Sequence, residues 1–255
     1  MLVPIRQKDM MTRLSSFAPG VHAVVIGASG GIGAALADAL EGDPQVARVT
    51  RLSRVTGLDL ADPASITAAA AGLAEPPHLV LVATGLLHDP GFTPPIAPER
   101  DLRQLSAAAF ARNFAINATG PALVAQAFLP LFPPHTRTVF AALSARVGSI
   151  ADNRLGGWHA YRASKAALNQ ILRTIAIETA RKNPHATILG LHPGTVDTGL
   201  SKPFQRNVKT LFTPDLAAGR LLAVIDAATP AQSGLLLDWA GAVIPGWMDS
   251  TADLA

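Results

Sequence analysis

The chain contains a single tyrosine, Tyr161, and a lysine follows it four residues later at Lys165. On an α-helix this spacing places both side chains on one face, a single turn apart. A nearby ammonium favours the phenolate form, so we expect the pKa of Tyr161 to be lowered towards the range useful to a general acid or base. Taken alone, the pair is equally consistent with a half-buried tyrosine beside a lysine whose stem covers apolar surface.

A glycine-rich segment follows the first apolar run of the chain, Val21–Ile26, which predicts a buried strand. The segment reads Gly27-Ala28-Ser29-Gly30-Gly31-Ile32-Gly33 and leads into the helix-forming residues 34–40. A strand, a glycine turn and a helix in this order can cradle phosphate, because glycines allow close backbone approach and the helix N-terminus offers unpaired N–H groups. No Lys-Ser or Lys-Thr pair follows the glycines, which excludes a Walker-type nucleotide loop.

The same glycine turn also fits the pattern G-x-S-x-G, in which Ser29 would be a hydrolase nucleophile. Such a nucleophile elbow needs earlier strands to supply its oxyanion loop, and here only one strand could precede it. The last histidine is His192, so the late histidine of these hydrolases is missing. The order of elements therefore disfavours hydrolase chemistry.

The end of the second predicted strand, Val46–Leu52, bears on the choice of coenzyme. In a dinucleotide-binding fold an acidic residue at this point binds the ribose 2′-hydroxyl of NAD, whereas an arginine suits the 2′-phosphate of NADP. Arg51 and Arg54 stand here without an acid between them, so NADP(H) is preferred and NAD(H) remains possible. A short third strand is predicted at residues 58–60. Its Asp59 could accept a hydrogen bond from an adenine amine, although Asp59 or Asp62 could equally cap the next helix.

Composition limits the class of protein. A length of 255 residues with 49% hydrophobic residues suffices for one α/β domain with a sizeable core, and the lack of cysteine excludes disulfides and thiolate metal sites. The net charge is +3, but no Lys/Arg run appears, so we expect no nucleic-acid partner. We also expect no metal. The apolar runs have strand length, and residues 1–20 lack the apolar stretch of a signal peptide. We therefore expect a cytoplasmic protein without a membrane segment.

Strands and helices alternate along the rest of the chain. Further strands are predicted at residues 79–83, 138–143, 188–192 and 235–237, and further helices at residues 63–73, 106–128 with a break near Gly120-Pro121, 161–181 and after Thr213. The apolar residues expected on the buried face of the Tyr161 helix are Ala163, Ala167, Ile171, Ile175 and Ile177. This alternation predicts an α/β fold: a single Rossmann-like, doubly wound parallel sheet with helices on both faces, formed by residues 21–255 after a tail of residues 1–20.

From about Val21 to Trp247 the chain resembles the short-chain dehydrogenase/reductase family. The resemblance is carried by the glycine turn, Asn117, Tyr161-x-x-x-Lys165 and Pro193-Gly194, which stand in the order of the family's motifs. Residues 143–150 and 156–165 look like the branch of C-factor and sniffer-type carbonyl reductases.

The resemblance implies NAD(P)-dependent hydride transfer between a small carbonyl compound (ketone, aldehyde or quinone) and the matching alcohol. Tyr161 would be the general acid or base, Lys165 would lower the pKa of Tyr161 and hold the nicotinamide ribose, and Asn117 would hold a water for proton relay. Residues 195–211 would close over the substrate. The residues expected at the coenzyme, besides Tyr161 and Lys165, are Gly27, Ser29, Gly31, Ile32, Gly33, Arg54, Asp59, Leu60, Ala83, Thr84, Gly85, Pro193, Gly194, Val196 and Thr198.

The catalytic serine is the main departure from the family pattern. Counted back from Gly148, its usual position is occupied by Ala145, with Ser144 as the neighbour. Adjacent strand residues face opposite ways, so Ser144 serves only if the strand end bulges or twists, and Ser149 is a second candidate. We assign Ser144. Two lesser departures are Ile26 before the glycine turn and the sequence Val82-Ala83-Thr84-Gly85 where an asparagine is usual.

A different class of function remains open at this stage. The irregular serine and the likeness to C-factor are also compatible with a catalytically weak or inactive protein that binds NADP(H) as a signal. Members of the family are often homo-oligomers, so a homo-oligomer is possible.

Overall fold

The structure, a computed structural model, describes residues 14–206, 208 and 210–246. Its strands are β1 (Val21–Ile26), β2 (Val46–Leu52), β3 (Leu79–Val82), β4 (Thr138–Leu143), β5 (Ala186–His192), β6 (Thr195–Val196), β7 (Leu211–Phe212) and β8 (Leu236–Asp238). Six of them form one parallel sheet in the order β2-β1-β3-β4-β5-β8, while β6 and β7 pair separately. The order reverses between β1 and β3, which is where such sheets bind ligands.

Helices cover both faces of the sheet. They are α1 (Gly31–Glu41), α2 (Pro63–Ala71), α3 (Ala107–Phe114), α4 (Gly120–Phe128), α5 (His159–Ala180) and α6 (Pro214–Ala227). Leu36 of α1 and Leu221 of α6 belong to the core on one face, and Phe128 of α4 and Leu168 of α5 to the core on the other. The predicted doubly wound architecture is confirmed.

The packed part of the chain begins before Val21. Leu14 is fully buried and Phe17 is 4% exposed, and both join the core beneath α1 and α6. The backbone N–H of Leu14 donates to Asp43 Oδ2 at 2.8 Å, and the ring of Phe17 stacks under the Arg137 guanidinium at 4.9 Å. The described part of the predicted tail, residues 14–20, is therefore packed against the domain through Leu14 and Phe17, while residues 1–13 lie outside the described residues.

Residues 58–60 form a loop and not the predicted third strand. Leu58 and Leu60 are buried, as alternation in a strand would require, but they pack under α2 and α4 instead of pairing with the sheet. The helix that follows is capped by Asp62, whose side chain accepts from the backbone N–H of Ala64 at 3.0 Å. Of the two capping candidates, Asp62 is the one used.

The long helical run that contains Asn117 departs from α-helical geometry before Gly120-Pro121. Residues Ala115–Thr119 form a wide π-helical turn between α3 and α4. A π turn inserts one extra residue per turn and often lies at a functional site. By length and hydropathy the run Ala107–Leu131 passes as a membrane-crossing helix, the one such helix among the described residues. Here it packs against α2 and α5 within the α/β domain.

The buried face of α5 differs from the prediction. Its fully packed members are Ala160, Tyr161, Ser164, Lys165, Leu168, Leu172 and Ala176, whereas Ile177 is 44% exposed. The predicted residues Ala163, Ala167, Ile171 and Ile175 are only half-buried. Apolar periodicity misplaced the face because polar residues of the site occupy the most buried positions.

Candidate active site

Two adjoining cavities open at the carboxyl ends of the central strands. The larger has a volume of about 340 Å³, and the predicted residues that line it are Gly27, Ser29, Arg54, Asp59, Leu60, Ala83, Thr84 and Gly85. The second has a volume of about 300 Å³, and its predicted residues are Gly31, Ile32, Ala83, Thr84, Gly85, Ser144, Tyr161, Lys165, Pro193 and Thr198. Because both cavities share Gly30, Ala83, Thr84 and Gly85, they form one elongated cleft.

The glycine turn has the backbone that a dinucleotide cradle requires. Gly27 has φ +88°, a left-handed conformation that favours glycine. A Cβ atom on Gly33 would overlap the carbonyl oxygen of Gly27, and one on Gly31 would lie 2.8 Å from Thr198 Cγ2. The N-terminus of α1 thus approaches both the turn and the loop after β5. Thr84 Oγ1, in the wall of both cavities, is buried without a hydrogen-bond partner in the described structure. Unpaired N–H groups and this orphan hydroxyl fit a dinucleotide.

Of the two arginines near the end of β2, only Arg54 is free for a ligand. Arg51 donates to Asp38 at 2.5 Å and to Glu41 at 2.9 Å, and these carboxylates raise its pKa further. Arg54 is exposed at the rim of the cleft and makes no ion pair within the described residues. It is therefore the cation available to a 2′-phosphate.

Several residues of the cleft were not predicted from the sequence, and three of them have titratable side chains. His88, Asp89 and Arg112 line it, and Arg112 Nε lies 3.7 Å from Asp89 Oδ2. His88 Nε2 lies 3.2 Å from the carbonyl oxygen of Gly199, so the loop after β3 touches the loop after β5. His88 and Asp89 lie in a loop rich in proline and glycine that matches no motif, so the sequence offered no signal for them.

Tyr161 and Lys165 lie together on α5 as their spacing predicts. Tyr161 is 8% exposed and Lys165 2%, and Lys165 Nζ is 5.9 Å from the centre of the phenol ring. The ammonium donates to the carbonyl oxygen of Leu143 at 2.7 Å. Burial lowers the pKa of Lys165 to about 7 and raises the pKa of Tyr161 to about 12. The expected lowering of the Tyr161 pKa is wrong, because burial removes the phenol from water and raises its pKa.

Asn117 is fully buried in the wide turn before α4. Its Oδ1 accepts from the N–H of Leu86 and its Nδ2 donates to the Leu86 carbonyl, both at 2.8 Å. Nδ2 also lies 3.0 Å from Ser164 Oγ on α5. A Cβ atom on Gly85 would come within 3.8 Å of Lys165 Nζ and 3.9 Å of Asn117 Oδ1. Asn117 thus ties the loop after β3 to α5 close to Lys165.

The structure separates the two candidate serines. Ser144 lines the second cavity beside Tyr161, and its Oγ donates to Asn169 Oδ1 at 2.6 Å. Ser149 Oγ donates to the carbonyl oxygen of Pro245 and accepts from the N–H of Asp152, so it fastens a loop outside the cavity. Ala145 packs against Tyr161 and Leu87 instead. Neither serine hydroxyl has a recorded hydrogen bond to Tyr161.

Four of the predicted residues support the cleft from behind. Gly33, Asn117, Gly194 and Val196 are absent from the walls of both cavities. Val196 packs with Phe212, Ala217 and Ile32, and a Cβ atom on Gly194 would lie 2.7 Å from Phe212 Cε2. Gly194 and Val196 therefore shape the loop that presents Pro193 and Thr198, whereas Gly33 packs on the glycine turn and Asn117 ties the loop after β3 to α5.

Comparison with known proteins agrees with this fold and cleft. A family model described as "Enoyl-(Acyl carrier protein) reductase" matches residues 28–244. C-signal of Myxococcus xanthus is 41% identical over 135 residues, which are 53% of this chain and 77% of that protein. A 1-hydroxy-2-glutathionyl-2-methyl-3-butene dehydrogenase of Rhodococcus sp. is 36% identical over 48% of this chain, which spans about half (52%) of its length.

Solved structures have the same fold. NADPH-bound carbonyl reductase from chicken fatty liver superposes with a TM-score of 0.75 at 24% identity, covering 92% of this chain and 98% of that one. Carbonyl reductase Sniffer of D. melanogaster gives 0.74 at 18% identity, covering 90% and 100%. The chain belongs to the short-chain dehydrogenase/reductase family, whose members are NAD(P)-dependent oxidoreductases.

Proposed function

We propose that this protein is an NADP(H)-dependent oxidoreductase that reduces a small ketone, aldehyde or quinone, or oxidises the matching alcohol. One observation carries the proposal: Tyr161 and Lys165 line a cavity that continues into the glycine-turn cleft. This cleft ends at Arg54, which makes no ion pair within the described residues. The carbonyl reductases with the same fold, one of them bound to NADPH, support the same reading. So does a benzil reductase of Bacillus subtilis, 27% identical over 60% of this chain.

The residues present fit the coenzyme along the whole cleft. The glycine turn and the N-terminus of α1 would hold the pyrophosphate, and Arg54 would hold a 2′-phosphate. Asp59 and Leu60 would border the adenine, and Thr84, with its unpartnered hydroxyl, would hydrogen-bond in the middle of the cleft. Lys165, Pro193 and Thr198 would border the nicotinamide end. When bound, the coenzyme supplies the hydride.

Proton transfer falls to Tyr161. Because burial raises the pKa of Tyr161 to about 12, the phenol is protonated at neutral pH and ready to donate to the oxygen of a carbonyl substrate. Ser144 Oγ would turn from Asn169 to donate to the same oxygen. Lys165 would orient the ribose and replace the proton, and relay through a water at Asn117 remains a prediction. Alcohol oxidation needs the phenolate, so we expect it to accelerate as the pH rises.

The setting of this activity is proposed from the same features. The partner is a small carbonyl compound or the matching alcohol, which would bind beside Tyr161 in the second cavity. We expect a cytoplasmic protein that binds neither membranes nor nucleic acid, and a homo-oligomer is possible.

The test is a carbonyl panel assayed with NADPH and NADH in parallel, with Tyr161→Phe as the matched variant. We expect NADPH oxidation with at least one ketone, aldehyde or quinone, and a loss of about 10²–10⁴-fold in kcat for Tyr161→Phe at unchanged NADPH affinity. Turnover that is equal in the wild type and Tyr161→Phe would overturn the assignment of the general acid.

A second candidate is a protein that binds NADP(H) as a signal without appreciable turnover. It is favoured by the identity with C-signal and by the engaged groups of the site, since Ser144 donates to Asn169 and Lys165 to Leu143. Tight NADPH binding by calorimetry without turnover on the whole panel would support it. Turnover that is abolished by Lys165→Ala would exclude it.

A further inference from the structure

We propose that Trp158, together with Phe204, makes the substrate side of the cleft selective for a flat, uncharged aryl carbonyl compound, with Trp158 as the specificity-determining residue. The inference rests on the proposed carbonyl chemistry at Tyr161 and names the class of substrate that this site takes. Trp158 and Phe204 are called the aromatic wall below.

The aromatic wall stands directly on the general acid. The Trp158 ring lies 6.2 Å from the Tyr161 ring at an interplanar angle of 74°, and 5.2 Å from the Phe204 ring at 63°. The His88 ring meets Phe204 from the other side at 5.9 Å and 61°. All three contacts are edge-to-face, the arrangement that aromatic rings prefer over direct stacking. Trp158 and Phe204 pack with Tyr161 and Leu200, two residues that line the second cavity, so the aromatic wall borders that cavity. A ring attached to a carbonyl at Tyr161 would extend towards these indole and phenyl surfaces.

The backbone of Trp158 is held in a conformation that a bulky residue seldom adopts. Its φ of +51° and ψ of +42° place it in the left-handed region, immediately before α5. Such strain persists only where the surroundings impose it, and it is concentrated at ligand sites. Here it turns the indole onto Tyr161 and Phe204.

Two charged residues brace this conformation from outside the cleft. The carbonyl oxygen of Glu99 accepts from the N–H of Trp158 at 2.5 Å, and its buried carboxylate accepts from the N–H of Ala160 at 3.3 Å. The Arg162 guanidinium donates to the carbonyl oxygens of Gly156, Gly157 and Val147 at 3.2, 3.0 and 3.3 Å. Trp158 is thus held in place by its own segment of the chain, which lowers the cost of ordering it on binding.

The surroundings of the aromatic wall favour an uncharged substrate. Its packed neighbours Leu87, Ala145, Val147 and Leu200 are apolar. A carboxylate or phosphate placed against them would lose its hydration, and Lys165, the one charged residue among the described residues that line the second cavity, already donates to the carbonyl oxygen of Leu143. Aliphatic groups would gain burial alone, whereas aryl groups would also gain edge-to-face contacts.

The experiment compares two neutral ketones of similar size, acetophenone and cyclohexyl methyl ketone, with the holoenzyme and NADPH. The measured quantity is the aryl-to-alkyl ratio of kcat/KM, which cancels effects common to both substrates. We expect Trp158→Leu to lower this ratio about threefold to tenfold, while Trp158→Phe keeps it within about twofold. Phe204→Leu, on a separate loop, should lower it in the same direction, which guards against misfolding of a single variant.

Trp239→Leu is the control, because Trp239 packs on Phe212 and Arg220 and not on Tyr161. The ratio should be the same in this variant as in the wild type. A ratio that Trp158→Leu and Phe204→Leu both leave unchanged would overturn the selectivity while leaving the carbonyl reductase proposal intact.

A second measurement separates this inference from the proposed function. Calorimetry with 1-phenylethanol and 1-cyclohexylethanol measures binding without turnover, in the presence and absence of NADP⁺. Tighter binding of the phenyl compound, lost in Trp158→Leu, supports the aromatic wall even if no carbonyl is reduced, in which case only the proposed function fails. Equal affinity for both alcohols in the wild type would overturn the aromatic wall.

Discussion

At the scale of single residues, the site is defined by which charged groups are already engaged and which are free. Arg51 and Arg54 lie three positions apart. Arg51 forms ion pairs with Asp38 and Glu41, whereas Arg54, at the rim of the cleft, makes no ion pair within the described residues. Tyr161 and Lys165 were predictable from their spacing because helical periodicity fixes the face they share. Their pKa values were not predictable, since the direction depends on depth of burial, which spacing does not encode.

The difference between the two arginines leads to a prediction about coenzyme choice. We expect Arg54→Ala to weaken NADPH binding by about 1.5–3 kcal/mol and NADH binding far less, because only NADPH carries the 2′-phosphate. Arg51→Ala is the matched control and should affect both coenzymes alike. Calorimetric dissociation constants for NADPH and NADH decide the matter, and equal weakening of both by Arg54→Ala would contradict it.

We expect the buried Lys165 to lower the stability of the fold by an amount that depends on pH. Burial lowers its pKa from 10.5 to about 7, so below pH 7 the folded chain must bury a charged ammonium. Between pH 7 and 10.5 the unfolded chain binds the extra proton, so wild-type stability rises with pH and the cost disappears. We expect Lys165→Met to raise the free energy of unfolding by about 1–3 kcal/mol near pH 6, with the gain shrinking towards about pH 9.5. Urea unfolding at both pH values measures this, and a gain independent of pH would argue against it.

At the scale of elements, the sequence located strands better than it located faces and loops. The bounds of β1, β2 and β4 match their predictions. β1 and β4 are short, largely apolar runs that are buried along nearly their whole length, so their ends are clear. β2 is instead a half-buried edge strand that carries Arg48 and Arg51. Residues 58–60 were wrongly predicted as a strand, because alternating leucines are also buried in a loop that packs under helices. The sequence did not decide between Ser144 and Ser149, because the chain beyond β4 has no periodicity from which the direction of a side chain can be predicted. In the structure Ser144 lines the cavity, whereas the hydroxyl of Ser149 bonds to the backbone of a neighbouring loop.

Gly148 controls how closely the loop after β4 approaches α5. A Cβ atom there would lie 2.7 Å from Lys165 Cβ and 2.8 Å from the Lys165 backbone carbon. We expect Gly148→Ala to push α5 away and lower kcat about 10- to 100-fold, with a smaller loss of NADPH affinity because Lys165 also borders the nicotinamide end. Gly42→Ala is the control, because its nearest contact would be an ordinary 3.6 Å to the Ala39 carbonyl. Steady-state kinetics and calorimetry test both variants, and an unchanged kcat for Gly148→Ala would refute the argument.

At the scale of the whole molecule, the fold class was readable from alternation of strands and helices, but the limits of the core were not. The short segment with Leu14 and Phe17 carries too few apolar residues to show a period, so its burial depended on a tertiary surface that only the folded chain presents. Hydrogen bonds from Ser15 and Ser16 to Asp226 then fix it to α6.

This segment should carry a measurable share of the stability. We expect Leu14→Ala to lower the free energy of unfolding by about 2–5 kcal/mol, the usual cost of emptying a fully buried leucine site. Val55→Ala, at a side chain 87% exposed, should change it by less than about 0.5 kcal/mol. Urea unfolding compares the two, and equal effects would show that the core does not extend before Val21.

We expect the contact between His88 and Gly199 to set an order of events during the proposed turnover. It joins two loops at the mouth of the cleft, and the edge of Phe204 adds to it, so a dinucleotide would enter and leave only while this contact is broken. Opening costs one hydrogen bond and one ring contact, roughly 1–3 kcal/mol, which leaves the open form in the minority. Departure of the spent dinucleotide is then expected to be slower than the chemical step. A rapid burst of product in the first turnover would reveal this rate limit, and a linear onset would exclude it.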